Sequence, residues 1–323
     1  MKTQKLKVIT YNIDGLPEQL DLNDLPAILK PITWIYKLIK KTTIVKINDN
    51  SNTAEKIKHI SKYLALSKPD IIGVQEDFNY HNELMSQLAN KYNCCKNTGG
   101  FDISKIFSSI ECISYFPLPR FKADGMNLIF NPDKVKILTE DIVTWNDSYG
   151  YTGHANDLLT HKGFRFYNVL FDNIDIDIYI VHMDADFYHP INCPDVSKDI
   201  AARKSQIYQL LTYIFNRYDA SISHPIIVMG DTNSYDKYAW DKENIEYFIN
   251  NINHIDSLHC EEVKPNNYND CDRIFIINND NSKYKLIVDG CSFDMSFNEE
   301  IGAVSDHKPL VATFNLIENN NKN

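Results

Sequence analysis

Polar side chains that suit a hard metal ion follow two short apolar runs near the start of the chain. Asn12 and Asp14 interrupt an apolar alternation and stand two residues apart, on the same side of a continuing strand. Glu76 follows a second apolar run that begins at Asp70. Carboxylate and amide oxygens are the protein ligands that Mg²⁺ takes, usually beside water and substrate phosphate.

Residues that suit a phosphate group and an attacking water follow two later apolar runs. His182 ends one of them, and an imidazole beside a phosphate can stabilise the charge of the transition state. Gly230 permits a sharp exit from the other run, after which Asp231 and Asn233 offer a carboxylate and an amide to one point. This arrangement predicts a site that binds or orients a nucleophilic water.

A histidine and two aspartates near the end of the chain suit proton transfer. Asp306 and His307 stand just before a final apolar strand, and His307 is the best candidate for a general base. Such a histidine needs a carboxylate to fix its tautomer, and Asp272 is the candidate partner.

The elements that must position these residues are mostly strands. Eight short runs rich in β-branched or aromatic residues predict strands at Lys7–Asn12, Asp70–Gln75, Asn127–Asn131, Phe164–Phe171, Ile176–His182, Pro225–Gly230, Arg273–Ile277 and Leu310–Phe314. Helical spacing of apolar residues predicts helices at Ala54–Leu66 and Val196–Tyr218. We therefore expect one α/β domain over residues 1–317 with two stacked sheets, an insertion at 17–53 and a frayed polar tail at 318–323.

Composition limits the partners and the compartment. The 323 residues carry a formal net charge of −10, which would repel a polyanion unless positive charge is concentrated locally. The seven cysteines include no C-x-x-C pair, as in a protein with reduced thiols. No signal-peptide pattern and no apolar run of about 18 residues is present, so we expect a cytoplasmic protein. We also expect a monomer.

The segment Leu25–Lys41 combines isoleucines at roughly helical spacing with four lysines. This pattern is typical of a basic amphipathic surface helix, and peripheral membrane contact is one interpretation. The alternative is that its apolar stripe packs on the domain.

Five of these motifs, in this order and strand context, resemble the endonuclease/exonuclease/phosphatase superfamily, over about residues 7 to 314. They comprise Asn12, Glu76, His182, Gly230-Asp231-x-Asn233 and Ser305-Asp306-His307. The resemblance implies a four-layer α/β sandwich, in which two stacked mixed β-sheets are flanked by helices.

The same resemblance implies a metal-dependent hydrolase of phosphate esters that uses Mg²⁺, with Mn²⁺ as an alternative. It assigns Glu76 as the principal metal ligand, with Asn12, Asp14 and Asp306 close to the metal. Asp231 and Asn233 would position the water and the phosphate, and His182 would bind a non-bridging oxygen. The Asp272–His307 pair would act at the nucleophile or the phosphate, and whether Asp231 or His307 takes the proton stays open.

Branch signals within the superfamily conflict. Asn12–Leu16 is similar to AP endonucleases and tyrosyl-DNA phosphodiesterases, whereas Cys271–Ile274 and Ser305–Pro309 resemble inositol 5-phosphatases. Asp157–Phe164 and His182–Asp186 resemble bacterial sphingomyelinase-like members. The acidic net charge favours a phospholipid or a small phosphorylated headgroup as substrate. DNA cleavage by a repair nuclease and a catalytically inactive binding module are the alternatives.

Overall fold

The computed structural model describes most of the chain, in twelve ranges. These are residues 3–15, 53–78, 80–95, 110–112, 119–121, 124–149, 157, 160–185, 196–218, 224–266, 268–294 and 304–319. The segment Leu25–Lys41 and residues 17–52 of the expected insertion lie outside them.

Fourteen strands and four helices form in these ranges. The strands are β1 (Gln4–Asn12), β2 (Ile71–Gln75), β3 (Asn93–Cys94), β4 (Ile110–Cys112), β5 (Pro119–Phe121), β6 (Asn127–Phe130), β7 (Val135–Thr144), β8 (Gly163–Phe171), β9 (Ile174–His182), β10 (Ile226–Asp231), β11 (Leu258–Glu262), β12 (Asp272–Asn279), β13 (Tyr284–Phe293) and β14 (Leu310–Glu318). The helices are α1 (Thr53–Ser67), α2 (His81–Met85), α3 (Ser197–Arg217) and α4 (Ala239–Asn253).

Twelve of the strands form two mixed sheets. Sheet 1 has the order β13-β14-β1-β2-β6-β3, and sheet 2 has the order β11-β12-β10-β9-β8-β7, while β4 and β5 form a separate hairpin pair. In each large sheet one central pair is parallel, β1 with β2 and β9 with β10, and the other neighbours are antiparallel. Within each parallel pair, the residues that follow the two strands therefore lie side by side at the carboxyl end of the pair.

The two sheets stack face to face through an aliphatic core. Ile180, Ile227 and Met229 of sheet 2 pack with Val8, Leu128 and other residues of sheet 1. Gly73 in β2 permits a close approach at the centre, since a Cβ there would lie 2.9 Å from Met229 Cε. The tight contact between the sheets fixes the positions of the strand ends above it.

Helices cover the outer faces of both sheets. Ile57, Ile60 and Leu64 of α1 pack on sheet 1, together with Leu84 of α2. Ile207, Leu210 and Ile214 of α3 pack on sheet 2 with Phe248 of α4. The four layers confirm the predicted α/β sandwich with two stacked mixed sheets.

The ten predicted elements all form, with small differences at their ends. Two boundaries differ in substance. Thr53, the last residue of the predicted insertion, begins α1, and Glu318, the first residue of the predicted frayed tail, ends β14. The tail is held one residue further, because the Asn319 amide nitrogen donates to Lys283 O at 2.8 Å and prolongs the edge pairing with β13. None of the helices in the described part of the chain is long and apolar enough to cross a membrane.

Candidate active site

The ends of five strands converge at one edge of the sandwich. In sheet 2, Asp231 at the end of β10 stands in register with His182 of β9 on one side and with Asp272 of β12 on the other. In sheet 1, Asn12 at the end of β1 stands beside Gln75, the residue before Glu76. Because strand ends are rigid, the side chains of Asn12, His182, Asp231 and Asp272 have little freedom to move apart.

The Asn12 amide joins the two sheets at this edge. Its Nδ2 donates to Glu76 Oε1 and to Asp231 Oδ2, both at 3.0 Å. Its Oδ1 accepts from the Asp14 amide nitrogen at 3.1 Å, and its backbone oxygen accepts from Ser305 Oγ at 2.8 Å. The buried Asn12 side chain thus donates a hydrogen bond to each of two carboxylates that belong to different sequence motifs.

Three of the predicted residues adopt a left-handed backbone. Asp14, Glu76 and Asn233 have φ angles of 48°, 61° and 48°. Residues other than glycine occupy this region at a cost, which is typical of functional turns. Gly15 permits the first two turns to meet, since a Cβ there would lie 2.4 Å from Glu76 O.

His182 is fully enclosed between the two carboxylates. Its Nε2 lies 3.8 Å from Glu76 Oε1 and 3.6 Å from Asp231 Oδ2. Neither ring nitrogen has a hydrogen-bond partner among the described residues. Burial, with the charge of Lys162 nearby, lowers the pKa of His182 well below its usual value, so the ring is neutral.

Asp231 and Asn233 form the short loop that leaves β10. The Asn233 amide nitrogen donates to Asp231 Oδ1 at 2.8 Å, and Asn233 Nδ2 donates to Met183 O at 2.9 Å. Although burial alone would raise the pKa of Asp231, the charges of His307 and Lys162 lower it below its usual value. Asp231 is therefore an ionised carboxylate with both oxygens already held.

His307 and Asp272 form a close pair. His307 Nδ1 lies 2.6 Å from Asp272 Oδ2, and Nε2 faces Asp231 Oδ2 at 3.7 Å. Burial would lower the pKa of His307, but Asp272 and Asp231 raise it well above its usual value. The pair fixes which ring nitrogen faces the site, as expected for an orienting carboxylate.

Asp14 and Asp306 lie at the mouth of the site. The Asp306 side chain is 78% exposed, and its Oδ1 lies 3.8 Å from His307 Nε2. Desolvation and the nearby Asp306 carboxylate raise the pKa of Asp14 to about 6. All nine predicted site residues thus lie within one connected cluster.

The cluster has the properties of a divalent-cation site. Its carboxylates outnumber the nearby cations, and burial raises the pKa of Glu76 to about 7. A carboxylate with a raised pKa lacks a compensating charge, which a bound cation supplies. The oxygen donors of Glu76, Asn12, Asp14 and Asp306 are those that a hard cation takes.

Two buried cations near the cluster were missing from the predicted set. Lys162 forms an ion pair with Asp157 and donates to Met183 O at 3.3 Å. Burial would lower the pKa of Lys162, but Asp157 and Glu76 raise it. Lys162 lies in the Asp157–Phe164 segment, which resembles bacterial sphingomyelinase-like members, but it lies outside any strand-end motif, so its type and spacing indicated no role in the site.

Arg165 is the second buried cation, and it is 1% exposed. Its Nε and Nη2 donate to the two oxygens of Asp124 at 2.8 and 2.7 Å. Asn127 Nδ2 in turn donates to Asp77 Oδ2 at 2.6 Å, next to Glu76. These hydrogen bonds hold Asp77 in place and thereby stabilise the left-handed turn at Glu76.

Comparison with known proteins identifies the family. A sequence model of the Endonuclease/Exonuclease/phosphatase family matches residues 9–247. The chain belongs to this family and is a metal-dependent hydrolase of phosphate ester bonds. No curated protein sequence matches the chain significantly.

Solved structures with the same fold come from several proteins. D. rerio TDP2 complexed with a single-strand DNA product has a TM-score of 0.57 at 16% identity, covering 96% of this chain and 98% of that one. A Staphylococcus aureus beta toxin mutant with bound magnesium ions has a TM-score of 0.57 at 13% identity, covering 96% and 99%. The endonuclease/exonuclease/phosphatase from Bacteroides vulgatus has a TM-score of 0.55 at 14% identity, covering 98% and 99%. At these identities the likeness shows the fold.

Gly230→Ala tests the turn that carries Asp231. Gly230 has a φ of 146°, and a Cβ there would lie 2.0 Å from Val181 O in the neighbouring strand. We expect the free energy of unfolding, measured in guanidinium chloride, to fall by about 2 kcal/mol or more.

Gly290→Ala is the matched control for this measurement. Its Cβ would meet only Thr313 Oγ1, at 3.3 Å, and we expect a loss below about 1 kcal/mol. Equal losses for the two variants would contradict a special constraint at Gly230.

Proposed function

We propose that the chain is a Mg²⁺-dependent phosphoesterase that hydrolyses its substrate by in-line attack of water. The proposal rests on the convergence of Glu76, Asp231 and His182 at the edge of both sheets. His182 Nε2 lies within 4 Å of both carboxylates, and Asn12 Nδ2 donates to both. This cluster combines metal ligands with groups that bind phosphate and move a proton.

Glu76 is the principal metal ligand in this proposal, with Asn12, Asp14 and Asp306 close to the ion. Bound Mg²⁺ would polarise a phosphoryl oxygen and neutralise developing negative charge. The all-oxygen donor set and the likeness to a beta toxin with bound magnesium ions support this choice of metal. Mn²⁺ fits the same donors.

The remaining residues act on the phosphate and the water. His182 binds a non-bridging phosphate oxygen, because its neutral ring has a nitrogen free to donate. Asp231 and Asn233 position the water and the scissile phosphate, since the short loop after β10 holds both side chains at the edge. These fixed dipoles stabilise the transition state without rearrangement.

Asp272 orients His307 for proton transfer. It accepts from Nδ1, which leaves Nε2 to face Asp231. The proton from the water passes to one member of the facing pair, Asp231 or His307. Both lie at the point where a nucleophilic water would be held, so the geometry is compatible with either assignment.

We further propose that the substrate is a phospholipid or a small phosphorylated headgroup. A formal charge of −10 disfavours the multiple phosphate contacts of a DNA-binding surface. Peripheral membrane contact through Leu25–Lys41 would fit a lipid substrate and remains part of this proposal. DNA is the second candidate, because D. rerio TDP2, solved with a DNA product, shares the fold over 96% of this chain.

Glu76→Gln tests the metal site. It removes the charge that holds the cation, so we expect hydrolysis of bis-p-nitrophenyl phosphate to fall more than about 100-fold and the thermal stabilisation by Mg²⁺ to disappear. Glu140→Gln, on the exposed face of β7, should keep both properties. A Glu76→Gln variant with normal turnover would remove Glu76 from the site.

Asp272→Asn tests the orienting pair. An amide can donate to His307 Nδ1 and turn the wrong nitrogen toward the site, so kcat should fall roughly 10²- to 10⁴-fold while Mg²⁺ still stabilises the fold. Asp280→Asn removes an exposed ion pair with Lys285 at the other end of β12 and should have little effect. A loss below about 10-fold for Asp272→Asn would show that the pair does not orient the reaction.

A side-by-side substrate panel separates the two candidate classes. Sphingomyelin vesicles, phosphoinositides, abasic-site DNA and plasmid DNA would be offered with Mg²⁺ at moderate salt, with Glu76→Gln as the control for contaminating activity. We expect turnover of a lipid or headgroup substrate that exceeds turnover of either DNA. Cleavage of DNA alone would replace our preferred substrate by the second candidate.

A further inference from the structure

A second group of metal-binding side chains lies behind His307, on the side away from Asp231. One ligand atom each from Asp270, Cys271, Asp272 and His307 all lie within 4.8 Å of one another. The nitrogen that faces this group is Nδ1, whereas Nε2 faces the proposed catalytic cluster. The two sides of a single imidazole therefore face two different donor sets.

The donor chemistry differs from that of the catalytic cluster. The cluster at Glu76 offers oxygen atoms, which suit Mg²⁺. The group behind His307 adds a thiol sulfur and an imidazole nitrogen to carboxylate oxygens, the mixture that suits Zn²⁺. Donor atoms that suit Zn²⁺ and donor atoms that suit Mg²⁺ therefore lie next to one another at the same edge of the sandwich.

The distances between the atoms are close to those of a tetrahedral zinc site. Ligand atoms around Zn²⁺ are separated by roughly 3.3–3.6 Å, given bonds of about 2.0–2.3 Å. Cys271 Sγ lies 3.8 Å from His307 Nδ1 and 3.8 Å from Asp270 Oδ1. Zinc binding has to open the hydrogen bond from Nδ1 to Asp272 Oδ2, at 2.6 Å, and to bring the other ligand atoms, which lie within 4.8 Å of one another, closer together.

One carboxylate oxygen in this group is left without a partner. Asp272 is fully buried, and its Oδ1 has no hydrogen-bond partner among the described residues. A buried, unpaired carboxylate oxygen is costly, and a bound cation would remove that cost. The Cys271 thiol is also buried, and it contacts the Tyr235 hydroxyl. Asp270 is partly exposed, with 16% of its side chain accessible to solvent.

We propose that Asp270, Cys271, Asp272 and His307 form an inhibitory zinc site. Zn²⁺ binds the Cys271 sulfur, His307 Nδ1 and the carboxylates, while the thiol proton and the Nδ1 proton leave to solvent. His307 then no longer donates to Asp272 and is withdrawn from proton transfer. This inference rests on the role of His307 in the proposed function and adds a regulation of the same site.

Zinc titration of the Mg²⁺-supported reaction tests the regulation. Hydrolysis of bis-p-nitrophenyl phosphate would be measured at buffered free Zn²⁺, relative to the zinc-free rate of each variant. Cys271→Ser should raise the half-inhibitory Zn²⁺ concentration by about 10-fold or more. Cys260→Ser, at a buried cysteine of β11, should keep the wild-type value. Equal inhibition of Cys271→Ser and wild type would overturn the proposal.

Cobalt binding tests the site without any turnover. Co²⁺ bound to a thiolate gives a charge-transfer absorption band, which we expect in wild type, in Glu76→Gln and in Cys260→Ser, but not in Cys271→Ser. A band in Glu76→Gln shows that the site is distinct from the magnesium cluster. If the band appears while no phosphoester is hydrolysed, the proposed function fails and the metal site stands. Absence of the band in wild type would overturn the metal site itself.

Discussion

The amide of Asn12 is the interaction on which the site depends, because it connects two sheets that carry one carboxylate each. Its two donated hydrogen bonds hold Glu76 and Asp231 together, and its oxygen atoms hold the turns at Asp14 and Ser305. Two buried carboxylates would otherwise repel one another. Because the neutral Asn12 amide donates to both carboxylates, the cluster can form before an ion binds. Little reorganisation of the side chains is then needed when the ion binds.

The surrounding fold explains why these side chains meet at all. Each sheet has a parallel pair at its centre, and both pairs end at the same edge of the sandwich. The aliphatic contact between the sheets, tightened at Gly73, sets the separation of those ends. Two buried cations stabilise this edge. Arg165 donates to Asn127, which in turn holds Asp77 next to Glu76, and Lys162 offsets part of the negative charge. The packing between the sheets and the buried charges thus both determine where the site residues at the strand ends lie.

The sequence predicted the central strands and the clustered residues well, and the reason is physical. β9 and β10 are buried along almost their whole length and contain the apolar runs Ile178–Val181 and Ile226–Met229, so the polar residues that follow these runs stand out. The edge strands β7 and β13 were not predicted, because most of their side chains are at least partly exposed and they lack an apolar run. α4 was missed because Asn residues weaken its helical pattern. Arg165 was missed because its partner Asp124 lies 41 positions earlier in the chain, and Lys162 was missed because it lies outside any strand-end motif.

The pairing of β1 with β14 has a consequence for biosynthesis. Asn12 O receives its hydrogen bond from Ser305, 293 positions later, and β1 is flanked on one side by β14. During translation this flank of β1 therefore stays unpaired until residues 310–318 have left the ribosome. Nascent fragments that stop before Asp306 lack both His307 and the strand that covers β1, so the exposed flank of β1 is where a chaperone would be needed.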